Sequence, residues 1–309
     1  MTKTTLNRIL LLTTVILFSV MTFLLLSFAG DSGVKAEDIS PKEPKKVLTI
    51  VSPEIPDEIS FSGEKVPLNV YYVRESLDRE LLVNAYWHSS TILMLKRANR
   101  WFPVLEPILK KNNIPDDFKY LALIESGFTG VVSPKGAAGY WQFLEKTARE
   151  HKLEVNDQVD ERYNVEKATE AACSYLLEAF ENYKNWTLVA ASYNAGSRRI
   201  SESLEYQKAD NYYDLYLNEE TSRYIYRILA IKILYEDREA YGFHLKKDEL
   251  YAPLKTRNME LVVPIEDLAD FALENGMNYK LLKELNPWLR SSSLPNSSGK
   301  KYTMKILQE

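Results

Sequence analysis

The sequence predicts a mainly α-helical protein, an all-α domain followed by a small α+β appendix. Three observations carry this. From Asp78 to Glu236 apolar residues recur at helical spacing, and no strand-rich block interrupts them. Ala168, Ala171, Ala172 and Ala179 line one face of a long helical run and suit close packing of helices. Beyond about Tyr251 the pattern changes to strand, helix, helix, strand.

The chain has 309 residues, 45% hydrophobic and 27% charged, ordinary proportions for a globular protein of one large or two modest domains. It opens with an uncharged apolar run from Ile9 to Ala29 behind Lys3 and Arg8. Residues 1–29 therefore read as a secretory signal peptide or an uncleaved signal anchor. Ser27 and Ala29 fit a cleavage site, so export with cleavage is favoured and membrane anchoring through this segment stays open. No cysteine follows the run closely, which excludes a lipid-modified cysteine. Residues 30–67 are polar and carry Pro41, Pro44, Pro53, Pro56 and Pro67, so they read as an extended linker.

Residues 68–250 form the expected helical domain. Leu81, Leu82, Ala85 and Tyr86 suit one helix; Ile92, Leu93, Leu95 and Ala98 suit the next, and Trp101, Val104, Leu105, Ile108 and Leu109 follow at the same period. Pro115 is placed as a first-turn proline, with Asp116 and Asp117 near the positive end of the helix dipole and Gly127 as a left-handed cap. Phe118, Leu121 and Ala122 make the buried stripe, and the next position on it is Glu125. Burial and the negative helix end both raise the pKa of a carboxyl there, and an acid held neutral is what a general acid requires. On this helix alone, a glutamate bent out to water weighs equally.

A loop of small residues, 131–139, leads into Tyr140-Trp141-Gln142-Phe143, two aromatics beside an amide. Asp160-Glu161-Arg162 is either an ion-paired turn or a solvated loop. Asn164 to Tyr183 is a long helix. Trp186, Val189, Ala190 and Tyr193 mark another, ending at Asn194-Ala195-Gly196 and placing the Tyr193 hydroxyl where it either reaches a cleft or stays in the core. Thr221 to Glu236 is the last helix of the domain, with Tyr224, Ile228, Ile231 and Leu234 in period.

Several function classes fall away. A net charge of −4 without a basic cluster gives no reason to expect nucleic acid. Cys173, the only cysteine, lies in a helical run and reads as a small buried side chain. His88, His151 and His244 are scattered without ligand spacing, so neither a metal nor a nucleophile triad is expected, and no cofactor.

At Glu125-Ser126, Gly139-Tyr140-Trp141-Gln142-Phe143, Tyr193-Asn194-Ala195-Gly196 and Glu220-Thr221-Ser222-Arg223-Tyr224, in that order, the chain resembles the catalytic domain of soluble lytic transglycosylases, glycoside hydrolase family 23. The likeness runs roughly from Leu81 to Leu234. It implies a lysozyme-like α-domain that cleaves the β-1,4 bond between N-acetylmuramic acid and N-acetylglucosamine without water, leaving a 1,6-anhydromuramoyl end. By resemblance Glu125 is the single catalytic acid/base. Ser126 and Gln142 match positions that contact or orient the carboxyl and the sugar, Tyr193 and Tyr224 match positions that hold the muramoyl residue, and Asn194 matches a position that either binds substrate or only fixes the loop. The resemblance also implies peptidoglycan glycan strands as the partner, a cell-envelope (periplasmic) location and a monomer. Ser197-Arg198-Arg199 and Tyr140 depart from the commoner family pattern.

Residues 251–309 resemble a LysM module, a small peptidoglycan-binding fold, with Pro264-Ile265-Glu266-Asp267-Leu268 in place of its usual start. Glycan binding and a plain packing role are both open for this piece. Two further readings of the whole chain stand beside the first: a hydrolytic lysozyme of the same fold, and an inactive wall-binding protein.

Overall fold

The computed structural model describes residues 51–308 together with Met21. The chain divides into two units, residues 1–51 and 52–309, and the fold described is that of the second. The expected signal or anchor at 1–29 (Met21 aside) and linker residues 30–50 lie outside the described residues. Among the described residues no helix is long and apolar enough to cross a membrane.

The first element corrects the sequence reading. Residues 59–66, expected to be extended linker, are built into the helical core. β1 (Ser60–Phe61) and β2 (Glu64–Lys65) pair antiparallel across Ser62 and Gly63, whose φ values of 54° and 83° are the left-handed pair that a tight hairpin demands. Phe61 is 0% exposed and its ring centroid lies 5.3 Å from that of Phe118. The Glu64 carboxylate accepts from the backbone N–H of Trp186 at 2.6 Å and of Thr187 at 2.9 Å. One buried aromatic in a polar, proline-bearing stretch leaves no periodic signal to read.

Helices α1 (Tyr71–Tyr86) and α2 (His88–Lys111) follow. Pro103 and Pro107 lie inside α2 without ending it, on its exposed side. Next come α3 (Phe118–Ser126), α4 (Glu145–Glu150), α5 (Val165–Tyr183), α6 (Trp186–Ala195), α7 (Ser197–Gln207) and α8 (Glu219–Glu236). α8 packs on α1 and α3, while α5 packs on α2 and α6. The mainly helical class expected from the sequence is thus what the chain adopts.

α3 begins three residues later than the sequence suggests. Pro115 to Asp117 form a preceding turn, in which the Phe118 N–H donates to Pro115 O at 3.1 Å. Asp117 pairs with Lys232 of α8 at 2.7 Å and accepts from Ser62 N–H at 2.7 Å. Phe118, Leu121, Ala122 and Leu123 are all fully buried, so α3 is apolar nearly all round and runs through the core. It ends as expected on Gly127, at φ 55°, whose N–H donates to Leu123 O at 2.8 Å.

The C-terminal piece is β3 (Thr256–Leu261), α9 (Leu268–Glu274), α10 (Tyr279–Leu285) and β4 (Tyr302–Leu307). β3 and β4 pair antiparallel, Thr256 opposite Leu307 and Leu261 opposite Tyr302. Leu268, Ala272, Leu282, Met304 and Ile306 form its centre, and Trp288 stacks on Tyr302 at 5.6 Å. Ala138, Val159 and Tyr163 from the helical part belong to this same apolar cluster. The backbone seals the join: the Asp160 N–H donates to Trp288 O at 2.8 Å, and the Arg290 N–H donates to Gln158 O at 2.7 Å.

Candidate active site

The last turn of α3 carries Glu125 out of the core while keeping part of its surface open. Tyr224, 1% exposed on α8, donates its hydroxyl hydrogen to Glu125 Oε1. Burial pushes the Glu125 carboxyl above the ordinary carboxylate range. The Tyr224 hydrogen bond and the nearby charge of Arg227 pull the other way without cancelling it, and Glu220 adds a little more upward push. Glu125 is half-buried, and its carboxyl is held by Tyr224 instead of swinging free into water.

Tyr193, from the last turn of α6, donates its hydroxyl to Trp141 O at 2.6 Å. Burial first and the charge of Glu125 second hold that phenol protonated, well above its usual range. The same two causes act on Tyr224. Glu125, Tyr193 and Tyr224, which the sequence singled out separately, are therefore one electrostatic group.

The other three expected residues position this group. Ser126 is buried, with Oγ 2.9 Å from Tyr140 O and accepting from Phe128 N–H at 3.0 Å. Its hydroxyl ties the end of α3 to the 139–143 turn. Gln142, at φ 49°, donates through Nε2 to Val131 O and Gly139 O, each at 3.0 Å, and clips the loop shut. Asn194 joins the end of α6 to the start of α8: Nδ2 donates to Glu220 Oε1 at 3.2 Å and Oδ1 accepts from Thr221 Oγ1 at 3.0 Å. It thereby fixes the two helices that carry the two tyrosines.

The clamp on this loop was not foreseen in full. Arg162 forks onto Asp160, Nε to Oδ1 at 2.9 Å and Nη2 to Oδ2 at 2.7 Å, and both residues are buried. Its Nη1 donates to Gly136 O at 3.0 Å and Phe143 O at 3.1 Å, gripping both limbs of the loop. The Asp160-Glu161-Arg162 turn is thus ion-paired and not solvated. Gly139, at φ 79°, lies so close that a Cβ would fall 1.8 Å from Arg162 O. The Asp-x-Arg spacing was the available signal; the glycine's neighbour, 23 positions on in the sequence, was not readable.

A groove of about 800 Å³ runs past the end of α3, with Glu80, Trp87, Arg97, Ile124, Gly127 and Glu220 among its walls. Trp87 is mostly exposed at its rim. Among the described residues no group of three or more His, Cys, Asp or Glu is placed to hold a metal. Cys173 is buried and its thiol is pushed up to about 12, chiefly by burial, so it is no nucleophile.

A carboxyl raised above its ordinary range sits beside two phenols that stay protonated, at the end of a core helix that borders a groove. Residues 103–216 match the transglycosylase SLT domain, and residues 257–309 match the soluble lytic transglycosylase C-terminal LysM-like domain. The chain is 26% identical over 254 residues to membrane-bound lytic murein transglycosylase D of Escherichia coli K12, and equally to that of Escherichia coli O6:H1. The match covers 79% of this chain and 54% of each relative, so the chain spans about half the length of the curated relatives it matches. Among solved structures, an inactive variant of lytic transglycosylase Slt from Pseudomonas aeruginosa is 18% identical, with a TM-score of 0.36, over 49% of this chain and 26% of that one. The 70 kDa soluble lytic transglycosylase of Escherichia coli is 19% identical, with a TM-score of 0.38, over 50% of this chain and 27% of that one.

Proposed function

We propose that the chain is an exported peptidoglycan lytic transglycosylase. It cleaves the β-1,4 bond between N-acetylmuramic acid and N-acetylglucosamine and leaves 1,6-anhydromuramoyl ends. The observation that carries this reading is the buried, raised-pKa carboxyl of Glu125 at the groove, bonded to Tyr224, within an SLT-family segment. Protonated Glu125 gives its proton to the glycosidic oxygen as the bond to the muramoyl anomeric carbon breaks. The Tyr224 hydroxyl then stabilises the carboxylate so formed. That carboxylate takes the proton from the muramoyl 6-hydroxyl as its oxygen closes on the anomeric carbon. The substrate's own acetamido group takes the part that a second carboxylate plays in ordinary glycosidases.

Glycan strands are the partner. Likeness to membrane-bound lytic murein transglycosylase D supports placing this chain in the cell envelope, with residues 1–29 as its export signal or anchor. The protein acts as a monomer, and the LysM-like appendix adds to contact with the wall.

A second reading, a hydrolase of the same fold, draws on Glu220, whose charge reaches Glu125. Mass spectrometry of products from purified peptidoglycan separates the two. Anhydromuramoyl ends that vanish in Glu125→Gln are expected; reducing ends mean that water is admitted. No soluble product from either protein, with wall binding kept, turns the assignment to a binding protein.

A further inference from the structure

The groove holds charged side chains that neither give nor take a proton in the acid/base steps. Six charged side chains line it: Glu80, Glu219, Glu220, Arg97, Arg223 and Arg227. Glu80, 1% exposed, pairs with Arg223 at 2.7 Å. Glu219 pairs with Arg79 at 3.3 Å and Arg223 at 3.5 Å. Glu220 accepts from the Asn194 amide. Arg97 and Arg227 are left with no carboxylate within ion-pair distance among the described residues.

What these two arginines do touch is the end of the catalytic helix. Arg97 Nη1 donates to Gly127 O at 3.3 Å, and Arg227 Nη2 lies 3.5 Å from Ile124 O. The carbonyls of Ile124 and Gly127 bracket Glu125, and they form the negative end of α3. Each guanidinium spends one donor on a neutral oxygen and keeps the rest of its fork. A guanidinium fork is matched by a carboxylate, which accepts two parallel N–H bonds.

We propose that Arg97 and Arg227 form a carboxylate-binding subsite beside Glu125, which selects glycan strands whose muramoyl units carry anionic groups. This rests on the lytic transglycosylase reading of the groove. Two groups on a muramoyl unit offer that chemistry: the carboxylates of an attached stem peptide, and the lactyl carboxylate exposed when the stem is removed. Uncharged oligo-N-acetylglucosamine offers neither. The same two contacts hold the helix end, so Arg97 and Arg227 position Glu125 as well as bind.

The test uses the full chain with Glu125→Gln as background, so that binding is read without turnover. Affinity is measured for stem-bearing strands, amidase-stripped strands and oligo-N-acetylglucosamine of matched length. The expected order puts at least one anionic strand about tenfold above oligo-N-acetylglucosamine, and the tighter of the two names the carboxylate source. Adding Arg97→Gln brings the ratio close to one, while Arg97→Lys recovers part of it. A ratio near one in the Glu125→Gln protein, or an equal loss on all three glycans in Arg97→Gln, overturns the subsite and leaves only the helix-end role. Turnover by the unsubstituted chain reports separately: anhydromuramoyl products without any anionic preference sink the subsite alone. Arg97-dependent preference without any cleavage sinks the catalytic reading alone.

Discussion

Tyr224 and Glu125 meet from helices 99 positions apart in sequence, the phenol donating to the carboxylate oxygen. The bond is available to the ionised carboxyl and so opposes the effect of burial. Burial thus raises the carboxyl, and the Tyr224 bond draws it back part of the way.

Tyr224→Phe removes that opposing influence, and the Glu125 pKa rises further. Two effects are expected on kcat/KM, measured across pH on peptidoglycan. The limb that marks loss of the protonated acid moves to higher pH. The maximal rate falls by about tenfold to a hundredfold, on the scale of one charge-assisted hydrogen bond. An unmoved limb argues against Glu125 as the titrating group.

Glu125→Gln is expected to stabilise the fold while abolishing activity. A carboxyl whose folded pKa lies above its unfolded value costs nothing below the unfolded pKa, about 4.3 for glutamate. Its cost grows as pH rises towards the folded pKa, because ionisation is then easier in the unfolded chain. The variant avoids that cost. Its Tm should equal that of the parent near pH 4 and exceed it at pH 7–8. Thermal melts at the two pH values decide the matter.

Gly139→Ala is expected to cost at least about 2–3 kcal/mol in denaturant unfolding, since it adds a left-handed strain to a clash. The clash is with the backbone oxygen of Arg162, which cannot swing away. Gly63→Ala is the control: φ is 83° there too, but nothing lies within 4 Å of the added Cβ. Its cost should stay near ~1 kcal/mol.

The hairpin at 60–65 makes its own forecast. Phe61→Ala should lose about 3–5 kcal/mol by emptying a core position against Phe118. Glu64→Ala should lose about 1–2 kcal/mol by uncapping α6. A chain beginning at Ser52 should melt cooperatively, and one beginning at Leu68 should melt well below it.

The sequence made α3 readable because everything needed is local: the stripe Phe118, Leu121, Ala122, the acid next on it, and the glycine that ends it. Tyr193 and Tyr224 were legible as motif positions, and their convergence on Glu125 follows from α6 and α8 packing together. The misses have one cause. Phe61 in the core, Arg162 gripping Gly136 and Phe143, and Ser126 reaching Tyr140 are contacts between distant segments, and backbone oxygens supply most of the partners. Side-chain spacing carries no trace of a carbonyl. For the same reason Ser126 Oγ and Gln142 Nε2, on residues matched by resemblance to positions that orient the carboxyl and the sugar, are engaged by the chain itself.

The apolar cluster that joins Ala138, Val159 and Tyr163 to Met304 and Ile306 bears on how such a gene can change. A domain hung on a string can be lost, duplicated or traded by recombination at little cost to its neighbour. Here β4 shares one apolar cluster with Ala138 of the 131–139 loop. Loss of β4 would therefore be felt in the loop that holds Ala138, and inheritance must treat the two pieces as one.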